Sequence, residues 1–293
     1  MKKLKESRIV SFIVILIVYA LAGASGIYSY RYLPFSWEIN LFIADAIATV
    51  VVFIFSLIFK NASVYDPYWS VQPIFIVVCY FVTNEFSIPG LLTLIAICIW
   101  GVRLTANWAY TFANLYHQDW RYTMLHEQTK GFYPIINFIG IHMVPTIVVY
   151  ACVLPACYLI KNPASANVFT YIFFACALLA VTLQCVSDVQ MHKYRKNRTT
   201  PFIRVGVWKN SRHPNYLAEI SMWWAIGLLS VLTMNANFIT LIGAFLNTCL
   251  FMFVSIPMAD KRQSRKEGFL EYKNETRMLL PIKKFKKKNL AQE

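Results

Sequence analysis

Long apolar stretches separated by short polar ones dominate the pattern along this chain. Eight apolar runs follow one another, at about 9–28, 41–59, 70–83, 91–112, 135–160, 168–189, 216–232 and 238–258. An α-helix needs about 20 apolar residues to cross a bilayer, and most runs reach that length while the third is short. The pattern predicts an all-α, polytopic transmembrane helix bundle of about seven to eight spans.

The composition and the distribution of charge agree with a membrane protein. Hydrophobic residues make up 58% of the 293 residues and charged residues 14%, whereas ordinary soluble domains have about 25% charged residues. The formal net charge of +14 comes from Lys and Arg in the connections between runs, including a cluster at 283–288, and not from one basic face. This distribution argues against a nucleic-acid partner and for contact with membrane lipids.

The basic residues also predict the orientation of the chain. If the N-terminus is cytoplasmic, eight spans leave Arg31 and Lys161 as the only basic residues outside, in agreement with the positive-inside rule. We therefore expect an integral multi-pass protein with both termini cytoplasmic, in a bacterial inner membrane or the endoplasmic reticulum. The first run has small residues typical of a signal-peptide cleavage site, but its length favours a retained span. The seven cysteines lie in or beside apolar runs and predict neither disulfides nor a metal site.

Polar residues interrupt the apolar pattern on one side of the predicted membrane. Gln184 and Asp188 lie near the inner end of the sixth run, and the stripe that they begin continues at helical spacing to Arg195. These residues act either as ligand-binding groups or, in the case of Asp188, in a structural salt bridge. Asn215 and Glu219 share a face of the next helix, which Pro214 begins. A helix N-terminus beside Arg212 is suited to a phosphate, although a capped turn is the alternative.

Three further stretches belong to the same predicted face. Asp66 initiates a turn before the third run, as a helix cap or as a functional acid. Arg103 lies inside the fourth run, where a guanidinium needs an anionic partner. The segment 269–281, with Tyr272, is too regular for a disordered end and predicts a docked tail. Together these stretches predict a cofactor cavity that opens to the cytoplasm.

The motifs of these stretches resemble the steroid 5-alpha-reductase superfamily, and within it the branch known only as a domain of unknown function. The likeness is carried by Gly206-x-Trp208, Ser211-Arg212-His213-Pro214-Asn215-Tyr216, Glu219, Asp66-Pro67-x-Trp69-Ser70, Trp100-Gly101-x-Arg103-Leu104, Asp119-x-Arg121-Tyr122 and the tail 272–281. It covers nearly the whole chain after the first span. We expect a single membrane domain, 1–293, with N-terminal spans in 1–60 and a reductase-like region in 61–293.

The resemblance implies an enzyme that uses NADPH to reduce an alkene conjugated to a ketone in a steroid or other lipid. The residues that match its cofactor-binding positions, or accompany them in the same motifs, are Arg103, Gln184, Asp188, Arg195, Trp208, Arg212, His213, Asn215, Tyr216, Glu219 and Tyr272.

The chain departs from the family where the substrate carbonyl is bound. Steroid reductases use a Glu of an early helix and a Tyr of a central helix, whereas Trp100 occupies the tyrosine position here and the second and third runs have no Glu. Asp66 with Tyr68, together with Trp100, are therefore the predicted catalytic residues. Two alternatives stay open: a methyltransferase similar to isoprenylcysteine carboxyl methyltransferases, which use S-adenosylmethionine, and a non-catalytic lipid or sterol binder.

Overall fold

The computed structural model describes residues 6–282, which are mainly helical and contain no β-strand. The chain forms two compact units, Met1–Ala164 and Ser165–Glu293. The basic residues predicted inside at positions 2, 3 and 5 and the cluster at 283–288 lie outside the described residues. This division into two units does not test whether the chain is a single membrane domain, which stays a prediction.

Within residues 6–164, the first unit contains seven α-helices joined by short connections. They are α1 (Arg8–Tyr32), α2 (Trp37–Phe59), α3 (Tyr68–Thr83), α4 (Ile88–Thr111), α5 (Trp120–Thr129), α6 (Tyr133–Ile136) and α7 (Val144–Lys161), with short 3-10 helices at Ala62–Tyr65 and Lys130–Phe132 and a π-helix at Asn137–Met143. Polar residues between the runs act as helix caps. Ser87 Oγ, for example, accepts a hydrogen bond from the Gly90 amide at 3.1 Å.

Between residues 165 and 282, the second unit contains five α-helices. They are α8 (Val168–Lys196), α9 (Pro214–Met234), α10 (Ile242–Leu250), α11 (Ile256–Gln263) and α12 (Phe269–Glu275), with 3-10 helices at Gly206–Lys209 and Phe238–Leu241 and a π-helix at Phe251–Ser255. Asn167 and Thr170 form a reciprocal capping box at the start of α8. α9 is the most buried helix of this unit and packs along α8.

The predicted polytopic helix bundle is confirmed. In the described part of the chain, seven segments are long and apolar enough to span a membrane, namely Arg8–Tyr32, Trp37–Phe59, Ile88–Thr111, Trp120–Lys161, Val168–Lys196, Pro214–Met234 and Phe238–Gln263. The short third run forms α3, with 16 residues, which at 1.5 Å per residue is about 24 Å long. The orientation of the termini stays a prediction.

A glycine sets the close approach of α3 and α4. A Cβ at Gly101 would lie 2.7 Å from the Ser70 carbonyl oxygen and 2.7 Å from the Ile74 side chain. These distances are shorter than van der Waals contact, so any larger residue would separate the two helices. α3 is thereby held in a fixed position, and α3 contributes the polar groups of the cavity described below.

The tail of the second unit is docked, as predicted. Phe202, Phe269 and Tyr272 form one buried aromatic cluster, in which the Phe202 and Phe269 rings pack edge to face at 5.2 Å. This cluster holds α12 against the loop that follows α8.

Candidate functional site

A glycine turn anchors the polar stretch that precedes α9. Gly206 has a φ of 59°, and a Cβ there would lie 2.2 Å from Gln190 Oε1. The same oxygen accepts a hydrogen bond from the Val207 amide at 3.0 Å. The Trp208 indole donates to the Ser187 carbonyl at 3.2 Å. Glycine is therefore required at this position, and the turn is fixed on α8.

A buried carboxylate, Asp260, holds both basic residues of the motif before α9. Arg212 Nη2 lies 3.1 Å from Asp260 Oδ2, and His213 Nε2 lies 2.9 Å from Oδ1. Lys273 Nζ approaches Oδ2 at 3.7 Å from a more exposed position. Asp260 is only 4% exposed, and a charge buried to that extent requires such partners. The sequence analysis missed Asp260, although an acid at the end of the last apolar run was a usable signal.

The tail binds the same loop through its backbone. Arg212 Nη1 donates to the carbonyl oxygens of Thr276 at 2.5 Å and Lys273 at 3.2 Å. The amide of Arg212 donates to the Arg277 carbonyl at 3.1 Å, and that of His213 to the Met278 carbonyl at 3.2 Å. The loop and the tail thus pair as two short extended segments, with the guanidinium inserted beside them.

Tyr272 adds a third link between tail and loop. Its hydroxyl donates to the Trp208 carbonyl and, at 3.3 Å, to the Ser211 carbonyl. Burial raises the pKa of Tyr272 to about 12, so the phenol stays a neutral donor at physiological pH.

Four of the predicted cofactor residues therefore have partners within the protein. The polar side-chain groups of Trp208, Arg212 and His213 contact Ser187, Asp260 or tail carbonyls. The Tyr272 hydroxyl donates to loop carbonyls, and the Tyr216 ring stacks on His213 with centroids 5.2 Å apart. These contacts build the shape of the loop. A role for any of these residues in binding a cofactor stays a prediction.

A second polar cluster is buried between α8 and α9. Gln184 Nε2 donates to Glu219 Oε2 at 2.7 Å, and the Trp223 indole donates to Oε1 at 3.0 Å. Gln184 Oε1 and Asn215 Oδ1 are buried, and neither has a hydrogen-bond donor among residues 6–282. Asn215 precedes Glu219 by one helical turn. Both oxygens are therefore buried acceptors that no donor among residues 6–282 satisfies.

The remaining predicted cofactor residues are more accessible. Asp188 lies on α8 one turn after Gln184 and is partly buried, and Arg195 is exposed in the last turn of α8. The structure thus confirms that one helix carries Gln184, Asp188 and Arg195. In the first unit Arg103 is partly buried on α4.

The first unit contains an apolar cavity of about 780 Å³. Small and aromatic residues of α1, α2 and α3 supply most of its wall. This volume lies within the range of about 300–1,000 Å³ that is typical of sites for drug-sized ligands.

Asp45 of α2, which was not among the residues predicted from the sequence, is the acidic group of the cavity wall. The Tyr68 hydroxyl donates to Asp45 Oδ1 at 3.3 Å, and Gln72 Nε2 donates to Oδ2 at 2.7 Å. All three residues line the cavity, and Gln72 Oε1 is buried with no hydrogen-bond partner among residues 6–282. An ionisable residue inside an apolar run was the signal that could have identified Asp45.

Tyr68 has a different acidic partner from the one that we predicted. The predicted partner, Asp66, accepts a hydrogen bond from the Tyr122 hydroxyl at 2.6 Å and does not line the cavity. Burial raises the pKa of Asp66 to about 6, although the nearby Arg121 and the bond from Tyr122 act in the opposite direction. Asp66 therefore links the loop before α3 to α5.

Trp100, the third predicted catalytic residue, is fully buried and does not line the cavity. Its ring packs edge-on against Trp69, with centroids 6.1 Å apart. Across residues 6–282, no group of three or more His, Cys, Asp or Glu side chains is arranged to hold a metal ion.

These features define a multi-pass helical membrane protein with a lipid-sized cavity in one unit and buried polar clusters in the other. The chain belongs to the family described as protein of unknown function (DUF1295), which matches residues 52–276. The match includes Asp66, Tyr68, Glu219 and Asp260, and it begins after Asp45. No curated protein and no solved structure matches the chain.

Proposed function

We propose that this protein is a membrane-embedded reductase that uses NADPH to reduce the C=C bond of an α,β-unsaturated carbonyl in a steroid-like or other lipid. The observation that carries the proposal is the hydrogen-bonded carboxyl and phenol of Asp45 and Tyr68 in the wall of an apolar cavity. An apolar cavity with a few convergent polar groups suits a lipid that has one carbonyl group. Asp45 and Tyr68 provide the acid and the tyrosine that the resemblance to steroid reductases requires.

The polar clusters of the second unit fit the proposed cofactor. Gln184 Oε1 and Asn215 Oδ1 are buried acceptors without donors among the described residues, and the carboxamide and ribose groups of a dinucleotide carry N–H and O–H donors. Glu219 holds Gln184 in position at 2.7 Å. Arg195 is exposed at the end of α8, where it is available for a phosphate group.

The polar groups of the cavity would polarise the substrate carbonyl. In the structure Tyr68 donates to Asp45. When Asp45 is protonated, its O–H donates a hydrogen bond to the Tyr68 oxygen and keeps the proton, and the Tyr68 hydroxyl then donates a hydrogen bond to the carbonyl oxygen. This hydrogen bond stabilises the negative charge that develops on the oxygen as hydride adds to the β-carbon. The α-carbon then takes a proton from water, so that C=C becomes CH–CH.

The bound dinucleotide would supply the hydride, and the protein contributes binding, orientation and electrostatics. Gln72 has the orienting role in the cavity, because its amide fixes the second oxygen of Asp45 at 2.7 Å. Without that bond the carboxyl group could rotate away from Tyr68.

A binding experiment distinguishes this proposal from the two alternatives. The purified full chain in detergent is heated with NADPH, NADH or S-adenosylmethionine, and the shift in Tm is measured. We expect stabilisation by NADPH and none by the methyl donor. Stabilisation by S-adenosylmethionine alone would support the methyltransferase, and a lack of response to all three would support a lipid binder.

A further inference from the structure

The cavity of the first unit has two cations in its wall as well as the Asp45 cluster. Of its acidic and basic lining residues, two are basic, Arg31 and Lys161, and one is acidic, Asp45. Arg31 lies in the last turn of α1, and Lys161 is the last residue of α7. Both therefore lie at helix ends, at the end of the unit where α2 begins.

The charge of one of the two cations is partly offset within the described part of the chain, because the Glu38 carboxylate is close enough to attract Lys161. Among residues 6–282, Arg31 and Lys161 form no ion pair. Lys161 Nζ lies 5.5 Å from the centre of the Trp37 ring. The nearby carboxylate of Glu38 accepts a hydrogen bond from the Tyr158 hydroxyl at 2.8 Å and does not line the cavity. Arg31 therefore remains available to a ligand in the cavity, and Lys161 is only partly offset by Glu38.

The cations lie well apart from the carboxyl and phenol groups. With a rise of 1.5 Å per residue, Asp45 lies about 12 Å along α2 from Trp37, and Arg31 lies about 18 Å along α1 from Tyr19. The Tyr19 ring packs against Tyr68, with centroids 5.5 Å apart. A ligand that reaches both polar regions therefore has an apolar body on the order of 15 Å long, which is the length of ten residues of helix.

We propose that the ligand of this cavity is an amphipathic lipid with an anionic group, a carboxylate, sulfate or phosphate, that pairs with Arg31 and Lys161. The opposite end of the ligand would place an uncharged oxygen beside Asp45 and Tyr68. Its identification as the substrate rests on the proposed reductase function, whereas its binding does not. Opposite charges at a partly exposed rim add specificity and a modest gain in affinity.

The test compares charged and neutral probes on the full chain in detergent, without added cofactor. One pair is the fluorescent fatty acid cis-parinaric acid and its methyl ester, and the other is a steroid sulfate and its parent steroid. We expect the anionic member of at least one pair to bind at least about threefold more tightly, which corresponds to one favourable exposed ion pair. The pair that shows the preference indicates whether the apolar body is an acyl chain or a fused ring system.

Substitutions connect the preference to the two side chains. Arg31→Gln with Lys161→Gln should abolish the preference and leave binding of the neutral probes unchanged. Lys60→Gln removes the same charge from a residue that does not line the cavity and should preserve it. Equal affinities for charged and neutral probes in both pairs would overturn the inference, even if a neutral enone were reduced. A preference for anions without any NADPH-dependent reduction would support the inference and count against the proposed function.

Discussion

Tyr68 and Asp45 are 23 residues apart in the chain, and a hydrogen bond of 3.3 Å joins them in the wall of the cavity. Because α2 and α3 each contribute one partner, the pair requires the packing of these two helices. In the proposed reaction Tyr68 is the donor that contacts the substrate.

Replacing Tyr68 should reduce catalysis much more than it reduces binding. Tyr68→Phe removes the donor to the carbonyl oxygen, and we expect kcat to fall by about 100-fold or more with little change in Kd for NADPH. Steady-state oxidation of NADPH in the presence of an enone lipid measures this effect. Tyr80→Phe is the matched control, because Tyr80 lines the same cavity but its hydroxyl contacts Tyr30 at 3.0 Å. Equal losses in the two variants would contradict the assigned role of Tyr68.

Replacing Asn215 should weaken cofactor binding without lowering the stability of the folded protein. Asn215 Oδ1 has no hydrogen-bond donor among residues 6–282, so Asn215→Ala breaks no bond of that oxygen within this part of the protein. We expect NADPH affinity to fall about tenfold, as for the loss of one hydrogen bond to a ligand, while the free energy of unfolding changes by less than about 1 kcal/mol. Titration calorimetry and thermal unfolding measure the two quantities. Asn210→Ala, in the exposed loop nearby, should alter neither, and unchanged NADPH affinity in Asn215→Ala would refute the proposed site.

Asp260 should be among the residues most important for the stability of the second unit. Asp260→Asn leaves the buried Arg212 without its counter-ion, and we expect the free energy of unfolding to fall by about 3–5 kcal/mol. Denaturation in mixed micelles with circular dichroism measures this loss. The exposed pair of Arg204 and Glu275, at 3.2 Å, provides the control, because Glu275→Gln should cost less than about 1 kcal/mol. If Asp260→Asn and Glu275→Gln lowered the free energy of unfolding by similar amounts, the buried Arg212 would not need Asp260 as its counter-ion.

Asp66 should make stability depend on pH in a predictable direction. Its pKa is about 6 in the folded protein and about 3.9 in an unfolded chain, so the folded state binds the proton more tightly. The contribution of Asp66 to stability is therefore full below about pH 4, falls as pH rises to about 6, and is constant above that. Asp66→Asn keeps an acceptor for Tyr122 and should lack this change. The difference in Tm between wild type and variant from pH 4 to pH 8 measures it, and a difference independent of pH would contradict the prediction.

Gly101 should be intolerant of a single added methyl group. Gly101→Ala places a Cβ 2.7 Å from the Ser70 carbonyl oxygen, and we expect a loss of about 1–3 kcal/mol from overpacking of α3 against α4. Gly131→Ala is the control, because no atom lies within 4 Å of an added Cβ there. Thermal unfolding of the two variants measures the contrast, and a stable Gly101→Ala would show that the two helices can separate at little cost.

The sequence was sufficient for the helices because their signal is local. Runs of about 20 apolar residues must form helices in a bilayer, and the capped boundary at Ser87 is also a local signal. The polar partners were harder to predict. Asp45 lies inside an apolar run and Asp260 lies beside Lys261 and Arg262, and neither position along the chain indicates what the carboxylate contacts. Their contacts with Tyr68 and Arg212 join residues distant in the chain, so helix packing determines them and spacing along the chain does not.

The pairing of the loop before α9 with the tail has a consequence for biosynthesis. Arg212 and His213 are bound by Asp260 and by the carbonyl oxygens of residues 276–278, all of which are translated at least 47 residues later. While the ribosome is still making α10, the Arg212 guanidinium has none of its final partners. The second unit can therefore complete its fold only after residue 278 has left the exit tunnel, so a nascent chain arrested before that point would hold α8 and α9 without the segment that closes their loop.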